Sequence, residues 1–185
     1  MAKPKPRCFW CGDDPLYVAY HDDEWGVPVR DDRLLFEQLI LEGAQAGLSW
    51  ITVLKKRDHY REAFANFDAR KVARFDGKKV DALMKNPGVI RHRGKLESVA
   101  LNARAFLALQ EEHGSFARWL WAHVDDQPVV RRSRSHQATS PLAEQISKEL
   151  KQRGMKFVGP TIIQAYLQAV GVLDEHLPGC WKAEK

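Results

Sequence analysis

Cys8, Cys11, His21, His176 and Cys180 are the side chains best suited to hold a transition metal, since thiolates and imidazoles are the usual ligands of tetrahedral zinc. Cys8-x2-Cys11 alone is a weak pattern, and His176-x3-Cys180 is half of a site. Together they place a soft-ligand pair near each end of the chain. With His21 as a fifth candidate, spacing leaves two sets open: Cys8, Cys11, His176, Cys180, or Cys8, His21, His176, Cys180. The plainer alternative is a buried thiol pair and two surface histidines. Zinc is preferred because all 3 cysteines fall in the two clusters. Either set is closed, with no position for water, which points to a structural staple between the termini rather than to catalytic metal.

The second group with chemical potential is carboxylate and aromatic. Glu37 and Glu42 lie in LLFEQLILEGAQAGL, which is apolar on nearly every side. Periodicity therefore cannot say which of the two is buried. The ordinary expectation is that either faces solvent, and a buried one needs a partner, for which a cationic ligand would serve. Just before this helix stand Trp10, Tyr17, Tyr20 and Trp25, interrupted by Asp13, Asp14, Asp22, Asp23 and Glu24, and just after it stands Trp50. Aromatics at helical spacing are commonly core, as expected for Trp119 and Trp121. Rings flanked by charge suit the rim of a pocket better. A third group is the NPGVIRHRG turn, where glycines sit with Arg91, His92, Arg93, Gly94 and Lys95. A glycine turn at a helix N-terminus can bind phosphate through backbone N–H groups and grip DNA without reading its sequence.

The elements that must position these residues read as helices. Asp14 caps and Pro15 opens a first helix ended by Gly26-Val27-Pro28. Asp31 or Asp32 caps the acid-bearing helix, and Ser49 caps WITVLKKRDHYREAF. Asp68 and Asp76 start two short pieces. The long pattern KLESVALNARAFLALQEEHG follows the turn, and Ser115 caps FARWLWAHV. Ser140-Pro141 and Pro160 open the last two helices, which Gly154 and Gly171 close. Residues 125–140 have no periodicity and read as a polar loop. Beyond MKFVG no strand is expected, and the fold class is all-α.

At 185 residues, 44% hydrophobic and 29% charged, the chain fits one globular domain over 8–181, with a basic flexible tail at 1–7 and a short tail at 182–185. No apolar run approaches the ~18 residues of a membrane span, and no leader-like segment opens the chain. A cytoplasmic protein without a disulfide framework is expected. A net charge of +5 permits a polyanionic partner without requiring one.

Four runs carry a resemblance: DPLYVAYHDDEWGVP, LFEQLILEGAQAGLSWITVLKKR, GVIRHRGKL with NARAF, and KFVGPTI with the closing His-x3-Cys. Spanning most of residues 8 to 180, they resemble the adenine-glycosylase family, the constitutive bacterial 3-methyladenine DNA glycosylases of the helix-hairpin-helix superfamily. The resemblance implies an all-helical glycosylase fold with structural zinc on Cys8, His21, His176 and Cys180, and so sets Cys11 aside. It implies that Glu42 contacts the damaged base within a pocket of Trp10, Tyr17, Tyr20, Trp25 and Trp50. Gly47 and Leu48 would fill the gap left by the extruded nucleotide, and VIRHRG would be the DNA-backbone element. Residues 125–140 match least, and no role is carried onto them.

The implied activity is base excision repair of double-stranded DNA by a monomer, releasing 3-methyladenine and leaving an abasic site. Adenine methylated at N3 is cationic, so aromatic faces attract it and Glu42 can balance its charge. Its bond to the sugar is already weak, and the resemblance supplies neither the aspartate base of superfamily relatives nor an imine-forming lysine. A monofunctional glycosylase without strand cleavage is therefore expected. Two other readings stand beside it: a zinc-stabilised DNA-binding module without catalysis, and a glycosylase of the same fold for other alkylated bases.

Overall fold

The computed structural model describes residues 5–183. A 3-10 turn at Phe9–Cys11 leads into α1 (Pro15–Asp23), α2 (Asp32–Gln45), α3 (Trp50–Leu54) and α4 (Arg57–Ala63). Next come α5 (Ala69–Val72), α6 (Gly77–Met84), α7 (Arg93–His113) and α8 (Phe116–Ala122). The chain finishes with α9 (Pro141–Gln152) and α10 (Pro160–Ala169). Helix therefore dominates, as the periodicity predicts. Side-chain oxygens of Asp14, Asp31, Asp68, Asp76, Ser115 and Ser140 accept hydrogen bonds from first-turn amides, satisfying donors that a helix start leaves open.

Of the two aspartates that could start α2, Asp31 is the cap, accepting from Leu34 N at 2.9 Å. Asp32 serves another helix. Its carboxylate accepts from Phe116 N at 2.9 Å, Ala117 N at 2.8 Å and Gln110 Nε2 at 2.5 Å, tying the starts of α2 and α8 together. α2 is buried on nearly all sides, from Leu35 to Ala44, and packs against α3, α7, α8 and α10. The apolar cluster around it runs from Cys8 to Cys180.

Three expectations need correction. The single helix after Ser49 is two, broken at Lys55–Lys56, where Lys55 pairs with Asp14 at 2.8 Å and Lys56 donates to Pro87 O at 2.6 Å. MKFVG is no strand: Asn102 bonds both backbone groups of Lys156, Ser147 donates to Val158 O, and Phe157 lies at φ 56. Side chains thus take the backbone bonds a ladder would use. Conversely the loop 125–140 contains β1 (Val129–Val130), which pairs in parallel with β2 (Leu173–Asp174). Two-residue strands are too short for any alternation to show.

Parts of both expected tails, residues 5–7 and 182–183, are described. Arg7 makes a bidentate pair with Asp22 at 2.6–3.0 Å, Trp181 N donates to Pro6 O, and Lys182 donates to Asp22 O. Residues 6–7 and 181–182 thus meet beside Asp22. Residues 1–4 and 184–185, the rest of both expected tails, are outside the described residues. No helix among the described residues is long and apolar enough to cross a membrane.

Asp32→Ala leaves two helix-start amides and Gln110 without their acceptor, and should cost about 2–3 kcal/mol in urea denaturation. Asp31→Ala removes one cap bond and should cost about 1 kcal/mol. Equal losses would show that Asp32 does not bridge the two helices.

Candidate active site

α1 and the turns on either side of it place two sites back to back. On one side, Cys8, His21, His176 and Cys180 converge, all buried, with their ligand atoms within 4.8 Å of one another. Cys180 Sγ is 3.4 Å from His21 Nε2 and 3.8 Å from His176 Nδ1, and Cys8 Sγ is 3.7 Å from His176 Nδ1. Cys11 is elsewhere: its thiol points at the carbonyls of Cys8 and Gly12. The geometry thus favours the set containing His21 over the set containing Cys11.

The surroundings suit a metal site. His21 Nδ1 lies 2.8 Å from Asp22, whose carboxyl the Arg7 guanidinium holds well below the usual range. A carboxylate on one ring nitrogen directs the lone pair of the other toward the thiols. Burial lowers His21 and takes His176 to about 4, so both rings are neutral and able to ligate. Gly26, at φ +76, lets the backbone approach: a Cβ there would lie 2.8 Å from His176 Nε2. The donor set is soft, closed and tetrahedral in number, and it fits zinc.

On the other side a cavity of about 220 Å³ is lined by Trp10, Tyr17, Tyr20, Trp25, Glu42, Gln45, Trp50, His136, Ala165 and Gln168. That is below the ~300–1,000 Å³ of drug-sized ligand sites and suits a single flat base. All five expected rings are therefore together. Trp10 touches Tyr17 at 5.1 Å and Trp25 at 5.0 Å, and Tyr20 touches Trp50 at 5.3 Å. Trp10 and Trp25 also lie against His21 and His176, so the same rings back the metal-ligand cluster and face the cavity.

The structure separates the two glutamates that periodicity could not. Glu37 is buried but neutralised by Arg33 at 3.1 Å and Arg61 at 2.7 Å. Glu42 is buried with no cation paired to it among the described residues. Its Oε1 accepts from Gln38 at 2.9 Å, and its Oε2 has no hydrogen-bond partner. Burial pushes this carboxyl up to about 8, and with Glu42 it also raises Tyr17 to about 12. Trp50 Nε1 is likewise buried and unpaired. Unsatisfied polar atoms on residues lining a ring-walled cavity are costly unless something enters and bonds them.

The third group of residues divides. Gly47, at φ +77, and Leu48, 43% exposed, form the turn between α2 and α3. Arg91 and Arg93 are exposed, and Arg93 pairs with Asp81 at 2.7 Å across the turn from α6. His92 caps α7 through Nδ1 and lies edge-on to Phe157. Gly94 is in the first turn of α7. Lys95 points inward: its ammonium donates to Ala44 O at 2.9 Å and Ala46 O at 2.6 Å, closing the end of α2. Sequence reasoning missed four lining residues. Gln45 stands one turn after Glu42, and Ala165 and Gln168 share a face of α10, so helical spacing from Glu42 could have found only the first. His136 comes from the loop that carried no pattern.

Comparison with known proteins agrees with this geometry. The family model described as methyladenine glycosylase matches residues 10–183. DNA-3-methyladenine glycosylase 1 of Escherichia coli (strain K12) is 49% identical over 94% of this chain and 95% of its own. A crystal structure of 3-methyladenine DNA glycosylase I superposes with a TM-score of 0.92 at 48% identity, covering 95% of this chain and 98% of that one. A tyrosine-to-phenylalanine variant of 3-methyladenine DNA glycosylase I in complex with 3-methyladenine superposes at 0.93 and 38% identity, covering 97% and 98%. By sequence and by structure alike, the chain belongs to the methyladenine glycosylase family.

Proposed function

We propose that this chain is a monofunctional DNA-3-methyladenine glycosylase and that Glu42 is its base-recognition carboxyl. The observation that carries the reading is Glu42, whose Oε2 is buried and unpaired among the described residues and which lines a cavity walled by Trp10, Tyr17, Tyr20, Trp25 and Trp50. A pure DNA-binding module needs no such box. Relatives bearing that name, and one of them holding 3-methyladenine, support the assignment.

The chemistry follows from charge. In the empty pocket burial keeps Glu42 protonated at neutral pH. A base methylated at N3 enters as a cation, held between aromatic faces, and its charge favours the ionised carboxylate beside it. Extrusion of the nucleotide opens a gap in the duplex that Leu48, on the Gly47 turn, is placed to fill. The bond between the sugar's anomeric carbon and the base then breaks, its electron pair leaving with the now neutral base. Water bonds to that carbon and loses a proton, giving an abasic site. The pocket's task is to hold the base while it is still bonded to the sugar and cationic.

Duplex DNA is gripped through its backbone on this reading by a helix-hairpin-helix formed from α6, residues 85–92 and α7, with Arg91 and Arg93 exposed. His92 caps α7 and Lys95 braces the turn that carries Leu48. Cys8, His21, His176 and Cys180 would hold zinc, which when bound supplies a rigid cross-link between the two ends and no reactive position. The chain acts as a monomeric single unit over residues 8–181. Its free cysteines are in keeping with the reducing cytoplasm.

Glu42→Gln should retain the fold and DNA affinity and excise 3-methyladenine from methylated DNA at least about 100-fold more slowly. Excision at the parental rate would remove Glu42 from recognition. The same variant has a stability signature. An acid protonated in the folded chain up to about 8, but ionised above about 4.5 when unfolded, makes stability fall as pH rises between those values. Glutamine abolishes that slope of up to about 1.4 kcal/mol per pH unit. The variant should therefore gain on the parent from pH 5 to pH 8 in urea denaturation.

For the metal, protein purified without chelator should release one zinc per chain to a colorimetric indicator. Cys180→Ser and His21→Ala should lose it together with thermal stability, and Cys11→Ser should keep it. Loss in Cys11→Ser with retention in His21→Ala would reverse the ligand assignment. DNA affinity should drop steeply with salt, and Arg91→Ala should flatten that dependence by about one released counterion.

A further inference from the structure

The loop 131–140 is a strap with both ends fastened, and its His136 lines the cavity. At one end Arg131 pairs with the buried Glu175 at 3.2 Å, Arg131 N donates to Asp174 O, and Arg132 pairs with Asp174 at 2.8 Å. At the other end Ser140 donates to Gln164 at 2.7 Å, and Gln164 in turn reaches Glu175. Gln168, which lines the cavity, donates to the same carboxylate at 2.6 Å. Between these anchors the strap delivers His136. Its ring stands edge-on to Trp25 at 5.6 Å and 87°, with Phe9, 76% exposed, on its outer side. Both ring nitrogens are buried, and neither has a hydrogen-bond partner. They are in this respect like Glu42 Oε2 and Trp50 Nε1, which line the same cavity.

We propose that His136 is a substrate-binding residue that hydrogen-bonds the edge of the extruded base. The inference rests on the glycosylase reading and extends it: rings and a carboxyl recognise a flat cation, and His136 reads which groups its edge presents. A neutral imidazole offers one donor and one acceptor, matching the amine and ring nitrogens along the edge of adenine. Burial lowers the titration of His136, which keeps a second positive charge away from a cationic base. An edge-on contact with Trp25 fixes the ring plane, while anchorage of both strap ends limits how far it can retreat.

Three variants test this, each with its folding checked by thermal melting. His136→Phe keeps a ring against Trp25 and removes both nitrogens, His136→Gln restores a donor and an acceptor, and His136→Ala removes everything. Affinity for free 3-methyladenine, followed by tryptophan fluorescence, should weaken about 10-fold in His136→Phe and His136→Ala and stay within about threefold of the parent in His136→Gln. Single-turnover excision from methylated DNA should fall in the same order. The proposal is overturned if both nitrogen-free variants bind the free base as the parent does. It is equally overturned if His136→Phe weakens only binding to DNA with an abasic site, which would make His136 a backbone contact. If the parental protein binds no 3-methyladenine, the glycosylase reading falls first and takes this inference with it.

Discussion

Burial of one uncompensated carboxyl is the constraint around which the rest of the molecule is arranged. Glu42 sits mid-helix in the most enclosed element of the fold, 4% exposed, with a single hydrogen bond from Gln38 and no cation near enough to neutralise it. One turn earlier, Glu37 shows what a merely structural buried glutamate requires: two arginines. Both occupy the same apolar helix, so part of the difference is local, with Arg33 four residues before Glu37 and Gln38 four before Glu42, and part comes from other elements. α4 brings Arg61 to Glu37. α1, α3 and the loop after β1 bring only rings to Glu42. An acid kept in that environment costs stability at neutral pH, and the remaining apolar packing of α2 must offset it.

A cavity lined by large rings has to be kept open, and the Cys/His cluster explains how. Trp10 and Trp25 are packed between the cavity and the imidazoles of His21 and His176. The 3-10 turn bearing Trp10 has no long element of its own to anchor it. Its position comes from Cys8 on one side and from Arg7 on Asp22 on the other, and Asp22 also orients His21. A metal held by Cys8, His21, His176 and Cys180, as proposed, would fix the ring wall directly. By closing a loop of nearly the whole chain it would also act where a long-range link has its greatest effect.

How far the site was legible from sequence depends on what carries each part. Helix caps such as Asp14, Asp76 and Ser140 are local, and the structure has them where the pattern puts them. The ring set and the cysteine clusters were visible as residue types, and the resemblance chose His21 over Cys11 before geometry could. What stayed hidden depends on tertiary partners. Asp32 could not be seen to cap α8, 84 residues away in sequence from Phe116. MKFVG reads as a strand by residue type, yet its backbone bends with Phe157 at φ 56 and its bonds go to Asn102 and Ser147 side chains. Lys95 reads as a DNA-facing cation and is instead turned onto the carbonyls of Ala44 and Ala46. His136 had no pattern to announce it, because a strap held at its two ends needs none in between.

Lys95 ties the start of α7 to the end of α2, and on the proposed reading it would join the grip on DNA to the pocket. Its backbone lies in the first turn of α7, where His92 caps its amide, and its ammonium ends the helix that carries Glu42. The turn beyond, with Gly47 at positive φ and Leu48 exposed, is therefore braced from the hairpin rather than left as a free loop. A cation at the C-terminus of a helix is favourable in its own right, since it faces carbonyls that have no partner within the helix. Here it also fixes the spacing between the expected phosphate contacts at Arg91–Gly94 and the residue expected to enter the duplex. Extruding a nucleotide demands that the wedge be pushed against a backbone held still. On the proposed reading, a stiff link between the two would let binding energy from phosphates be used for unstacking instead of being lost in loop motion.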